Sequence, residues 1–138
     1  MLIQDRLTHD QLTHDQLIYA IEQELGLTHG TDFLVAHPLG TDGKQCGDAY
    51  LFRWINKEVP QPNIELMKAR YRECHCDTFA AKVAREQRDF LLAQTDWTQN
   101  ADVPAVVKEK YTAYRQALRD VSSQAGFPTS IDWPVSPQ

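Results

Sequence analysis

The strongest constraint on this chain is the step Val59-Pro60-Gln61-Pro62-Asn63, after which neither proline nor glycine occurs from Ile64 to Gln94. Two prolines within three residues hold the backbone extended and forbid a helix across them. Asn63 is a good helix N-cap, and Glu65 puts a carboxylate in the first turn, where it meets the positive end of the helix dipole. Residues 64–94 are expected to form one long helix, or two with a soft joint near His75 to Thr78, where helix propensity is lowest. The step is also the expected boundary between a small α/β unit over 1–59 and a helical hairpin domain with an extended tail over 60–138.

Along the long helix, Ile64, Met67, Tyr71 and Cys74 recur three and four apart, and Cys76, Phe79, Val83 and Phe90 continue on a shifted phase. Such a stripe is a core face or a partner seam rather than a cofactor box. Two readings stand: Met67, Tyr71, Phe79 and the adjoining face hold a partner, or the N-terminal unit or a second copy of the chain covers them.

Upstream, Leu7-Thr8-His9-Asp10-Gln11 is repeated as Leu12-Thr13-His14-Asp15-Gln16. Each copy pairs His with Asp, which invites an acid/base reading, but each also reads as a helix start, with Thr as N-cap and Gln as its capping-box partner. The second copy is the better start, because Leu17, Ile18, Ile21 and Leu25 continue in helical rhythm and Gly26 stands at the expected stop. The first copy is expected to be a frayed turn or a flexible lead-in. Residues 32–37 and 49–54 then read as the strands of a β-hairpin around the glycine-containing 40–47 connection, which is expected to be mobile. Strict alternation would put Tyr50, Phe52 and Trp54 on one face, covered by the N-terminal helix.

Beyond Gln94, Asp96 to Ala101 breaks the helix, and Asp102-Val103-Pro104 is expected to start another, with Asp102 as cap. Val107, Tyr111, Leu118 and Val121, with Tyr114 among them, form a narrow stripe. Its natural partner is the Val83–Leu92 segment, folded back antiparallel. Gly126-Phe127-Pro128 ends the hairpin, and Trp133, in a proline-punctuated tail, is expected to pack back onto it. The fold class is thus α+β: an N-terminal helix and β-hairpin, then a long helix and an antiparallel helical hairpin.

The chemistry is sparse. A formal charge of -5 disfavours a phosphate backbone as partner, so no nucleic acid is expected. Apolar runs fall far short of the roughly 20 residues that span a bilayer, and the polar start Met1-Leu2-Ile3-Gln4-Asp5-Arg6 lacks a signal-peptide core, so no membrane role and a cytosolic location are expected. Cys46, Cys74 and Cys76 are an odd set, expected to be reduced. Cys74-His75-Cys76 cannot converge on one metal ion from a helix, and buried small side chains are expected at Cys74 or Cys76. Neither a dinucleotide fingerprint nor a Walker motif is present. Five histidines, His9, His14, His29, His37 and His75, come without a nucleophile motif, so no catalytic residue, cofactor or metal is assigned. Arg85/Asp89, Arg88/Asp89 and Arg115/Arg119/Asp120 read as anion sites or as structural ion pairs, the second being favoured by helical spacing.

The order of motifs in the C-terminal half resembles a known family. Arg85-Glu86-Gln87-Arg88-Asp89-Phe90-Leu91-Leu92, Thr95-Asp96-Trp97-Thr98-Gln99, Asp102-Val103-Pro104, Tyr114-Arg115-Gln116-Ala117-Leu118-Arg119-Asp120-Val121 and Ile131-Asp132-Trp133-Pro134 are similar to the tail-assembly chaperones of tailed bacteriophages. Where relatives often carry Leu-Pro, this chain has Asn100-Ala101. More weakly, the segment from Trp54 to Glu65 is similar to small phage tail proteins in which a Pro-rich step leads into a helix.

The resemblance implies a role in tail or tail-fibre morphogenesis without catalysis, in the host cytoplasm, with a tail-fibre or other tail protein as partner. It leaves open a structural tail or adaptor protein retained in the virion. The implied partner-binding residues are Met67, Tyr71, Phe79, Arg88, Trp97, Tyr114, Arg115, Arg119 and Trp133. A homo-oligomer is compatible with it. A small hydrolase or nucleotide-binding regulator would instead need a His/Asp site around His9, His14 or His37.

Overall fold

The computed structural model describes residues 7–138; the expectation drawn from Met1 to Arg6 lies outside them. The architecture is α+β: α1 (His14–Leu25), β1 (Phe33–Ala36), β2 (Tyr50–Trp54), α2 (Ile64–Arg70), a π-helical turn (Tyr71–His75), α3 (Cys76–Gln94), a 3-10 turn (Asp96–Gln99), α4 (Ala105–Arg119) and a 3-10 turn (Asp120–Ser123). It forms two compact units, the first ending at Cys76 and the second Asp77–Gln138. The Pro60–Pro62 step does precede a helix capped by Asn63, whose side chain accepts from the Leu66 amide at 3.2 Å. That helix and the π turn nevertheless pack on α1 and group with the first unit.

The five-residue repeat folds in two different ways. In the second copy the Thr13 hydroxyl accepts from Gln16 N–H at 3.2 Å and the Gln16 side chain accepts from Thr13 N–H at 2.9 Å, a complete capping box. The first copy reproduces only half of it, with Thr8 N–H donating to Gln11 Oε1 at 3.0 Å. Gly26, at φ +66°, closes α1 in the left-handed conformation. Leu12, Leu17, Ala20 and Ile21 join Phe33, Val35, Ala49, Met67 and Tyr71 in the core of the first unit.

The hairpin departs from strict alternation. Phe33 pairs with Trp54 and Leu34 with Arg53, but Val35 pairs with Leu51 and Ala36 with Tyr50, so Phe52 is the extra residue of a β-bulge. Directly opposed residues share a face. Leu51 and Trp54 therefore join Phe33 and Val35 on the inner face, while Phe52 is 65% exposed and Tyr50 49% exposed. The α1 helix lies against β1, and of the expected aromatic row only Trp54 is on the inner face.

The 37–49 connection is tied down rather than loose. Gln45, 4% exposed, donates to Leu12 C=O at 3.0 Å and to Gly47 C=O at 2.8 Å, and accepts from His14 N–H at 2.9 Å. Asp48 accepts from Leu12 N–H at 2.9 Å and binds the buried Lys68 ammonium.

The joint in the long helix lies one turn earlier than its composition suggests. The joint is a π turn, whose hydrogen bonds close one residue wider than in an α-turn, and both buried Tyr71 and His75 lie in it. The Glu24 carboxylate meets His75 Nε2 at 2.7 Å and accepts from Arg70 Nε at 3.0 Å. These two hydrogen bonds, His75 first, hold Glu24 below the usual carboxylate range. Cys74 is exposed, against expectation, and Cys76 half-buried; none of the three cysteines is in a disulfide.

Candidate functional site

In the second unit the residues that carry the family resemblance meet one another. The α4 helix begins at Ala105 with Pro104 in the capping position and no side-chain cap, so Asp102 does not serve as one. Its apolar stripe buries Tyr114 and Leu118, and Val121 comes next in the 3-10 turn. Arg115 lies beside them, 8% exposed, and supplies three hydrogen bonds to the end of α3. One terminal nitrogen donates to Leu92 C=O and to Thr95 Oγ1, each at 2.8 Å; the other donates to Asp96 at 2.9 Å. A planar guanidinium fork can reach three acceptors at once, which a lysine ammonium cannot do in the same geometry.

The 3-10 turn after α3 is organised by the same residues. Thr95 Oγ1 donates to Leu92 C=O at 3.1 Å, and the fully buried Thr98 hydroxyl donates to Thr95 C=O at 2.6 Å. Trp97, between them, is turned outward and is 53% exposed. Its ring centroid lies 5.9 Å from Tyr111, and Tyr111 lies 6.4 Å from Tyr114. The C-terminal segment returns toward α4: Tyr111 OH donates to Pro137 C=O at 3.5 Å, and Gln124 exchanges two 2.9 Å hydrogen bonds with the Asp132 backbone. Trp133 is half-buried.

Of the other expected pairs, the described residues form one. Arg88 binds its neighbour Asp89 at 2.9 Å. Arg85 lies over the Phe127 ring, 5.3 Å from its centre. Asp120 accepts from Gln116 at 3.1 Å, and Arg119 is exposed at the end of α4. Of the nine residues implied in partner binding, Met67, Tyr71, Tyr114 and Arg115 have their side chains occupied within their own units; Trp97 and Arg119 are presented outward, and Phe79, Arg88 and Trp133 are half-buried. The clasp roles of Thr95, Asp96 and Thr98 are not evident from residue type. The signal for them is the spacing that lets one Arg reach back across a short turn.

The first unit brings three of the histidines together. His14 lies 5.5 Å from His29 and 4.9 Å from His37, ring centre to ring centre. They dress the outer edge of β1: Val35 N–H donates to His29 Nε2 at 3.2 Å, and His14 Nε2 lies 3.1 Å from Val35 C=O. His37 Nδ1 is buried without a hydrogen-bond partner. The second-copy pair His14–Asp15 is 3.1 Å apart and the first-copy pair His9–Asp10 is 3.5 Å apart and exposed. Satisfying a strand edge is a structural task. Among the described residues no group of His, Cys, Asp and Glu is arranged to hold a metal ion, and no helix is long and apolar enough to cross a membrane.

No curated protein and no solved structure matches this chain. Residues 81–138, which contain the Arg115 clasp, Trp97 and the returning C-terminal segment, match the family of phage tail assembly chaperone proteins.

Proposed function

We propose that the protein is a non-enzymatic assembly chaperone that binds a tail-fibre or other tail protein while the virion tail is being built in the host cytoplasm. The observation that carries this reading is the family match over the second unit, whose matched motifs converge on one clasp. Trp97 is the proposed anchor. A half-exposed Trp backed by Tyr111, with Val106 68% exposed nearby in sequence at the start of α4, offers apolar area that a client segment would cover. Arg119 and the half-buried Phe79, Arg88 and Trp133 are proposed to flank or support the contact.

Co-expression of the full chain with each neighbouring tail protein, followed by pull-down, tests this. Capture of one tail protein, lost in Trp97→Ala with the fold intact, is the expected result. Capture of none of them would sink the reading. Stoichiometric presence of the chain in purified virions would favour a retained structural component instead.

A further inference from the structure

The outward face of α3 carries a second apolar row that shares only Phe79 with the proposed client contact. Val83 is 45% exposed and Phe90 58% exposed. Seven residues apart, they point within about 20° of each other. The row continues as Cys76 and Phe79 before them and Ala93 after, with Glu86 midway. The spacing 76, 79, 83, 86, 90, 93 is alternately three and four, which is the seam of a two-stranded coiled coil.

We infer that this face pairs with α3 of a second copy of the chain, running antiparallel. Charge decides both the occupant and the direction. In a parallel pair each Glu86 would face the second copy's Glu86 across the seam, a like-charge contact. Antiparallel, with Phe79 opposite the second copy's Phe90, Cys76 lies opposite Ala93 and Glu86 lies opposite Val83. The same register sets Lys82 beside the second copy's Asp89, and two-fold symmetry makes that attractive pair twice.

Within one chain Lys82 holds Glu86 at 2.7 Å and Asp89 holds Arg88 at 2.9 Å, with Lys82 54% and Asp89 63% exposed. Exposed pairs of this kind are weak, so they exchange for intersubunit partners at little free-energy cost. A seam of this length with one carboxylate in it makes a reversible dimer, not a permanent one.

Sedimentation velocity of the full chain over a concentration series is the test. The expected result is a concentration-dependent dimer. Lys82→Glu alone and Asp89→Lys alone each weaken it about tenfold, because two attractions become two repulsions, and the double swap restores it. Phe90→Ala also weakens it, with circular dichroism confirming an intact helical fold. A single monomeric species up to about 1 mM, or a dimer that neither charge reversal affects, overturns the inference. Should Phe90→Ala fail to fold, the charge-swap series decides alone. Because the seam excludes Trp97, absence of the dimer with retained client capture would refute this inference and leave the chaperone reading standing.

Discussion

Arg115 on α4 donates to the Thr95 hydroxyl at 2.8 Å, and Thr95 in turn donates to the last turn of α3, so one buried guanidinium fastens the two arms of the hairpin at its bend. Arg115→Ala removes three hydrogen bonds and the packing of a nearly buried side chain, while Leu92 C=O keeps the Thr95 amide and hydroxyl as donors; it is expected to destabilise the second unit by about 3 kcal/mol. Asp96→Asn, whose carboxylate is 66% exposed, is expected to cost less than about 1 kcal/mol. Native-state hydrogen exchange of the α4 amides reads both. Equal effects would contradict the clasp.

The bulge makes two phenylalanines of one hairpin unequal. Phe33 is fully buried and stacks on Trp54, ring centres 6.1 Å apart, whereas Phe52 is the unpaired residue. Phe33→Ala is expected to cost about 3–5 kcal/mol and Phe52→Ala within about 0.5 kcal/mol. Urea denaturation followed at Trp54, with Trp97 and Trp133 replaced by Phe, distinguishes this register from the unbulged one, in which Phe52 would face the core.

Gly126 is required by space, not by its φ angle. A Cβ there would collide with Ser130 C=O, and Ser130 N–H returns a 2.7 Å hydrogen bond to Gly126 C=O. Gly126→Ala must displace backbone, and a loss of about 2 kcal/mol or more is expected in the second unit. An unchanged melting curve would mean that this turn relaxes freely.

The two copies of the repeat are expected to respond differently to the same change. Thr13→Ala removes a working N-cap and should lower the stability of the first unit by about 1 kcal/mol. Thr8→Ala, in the copy that starts no helix, should change it by less than about 0.3 kcal/mol. Thermal melts of the two variants compare them directly.

Glu24 gives the first unit an acid dependence with a definite sign. Its carboxyl is held below the ordinary value by His75 and Arg70. The stabilisation it gives is present above the unfolded carboxylate value and is lost as pH falls through the lower folded value. Stability at pH 7 and pH 5 should therefore share this contribution, and Glu24→Gln should flatten the further fall toward pH 3. A parallel fall in wild type and variant would remove Glu24 as the source.

Features with short-range causes were legible in the sequence. The capping box at Thr13, the stop at Gly26, the cap at Asn63 and the stripe through Tyr114, Leu118 and Val121 depend on neighbours a few residues away, so spacing alone reveals them. The motif order over the second unit was legible in the same way.

Contacts between distant residues settled the rest, and those required the folded chain. The bulge at Phe52 arises from the strand register that buries Phe33 and Val35 under α1. His75, in the π turn, meets Glu24, fifty-one residues away. Arg115 read as one charge among several until the hairpin closed and three acceptors gathered around it. A side chain's role is set by what arrives opposite it, and no local pattern specifies that arrival.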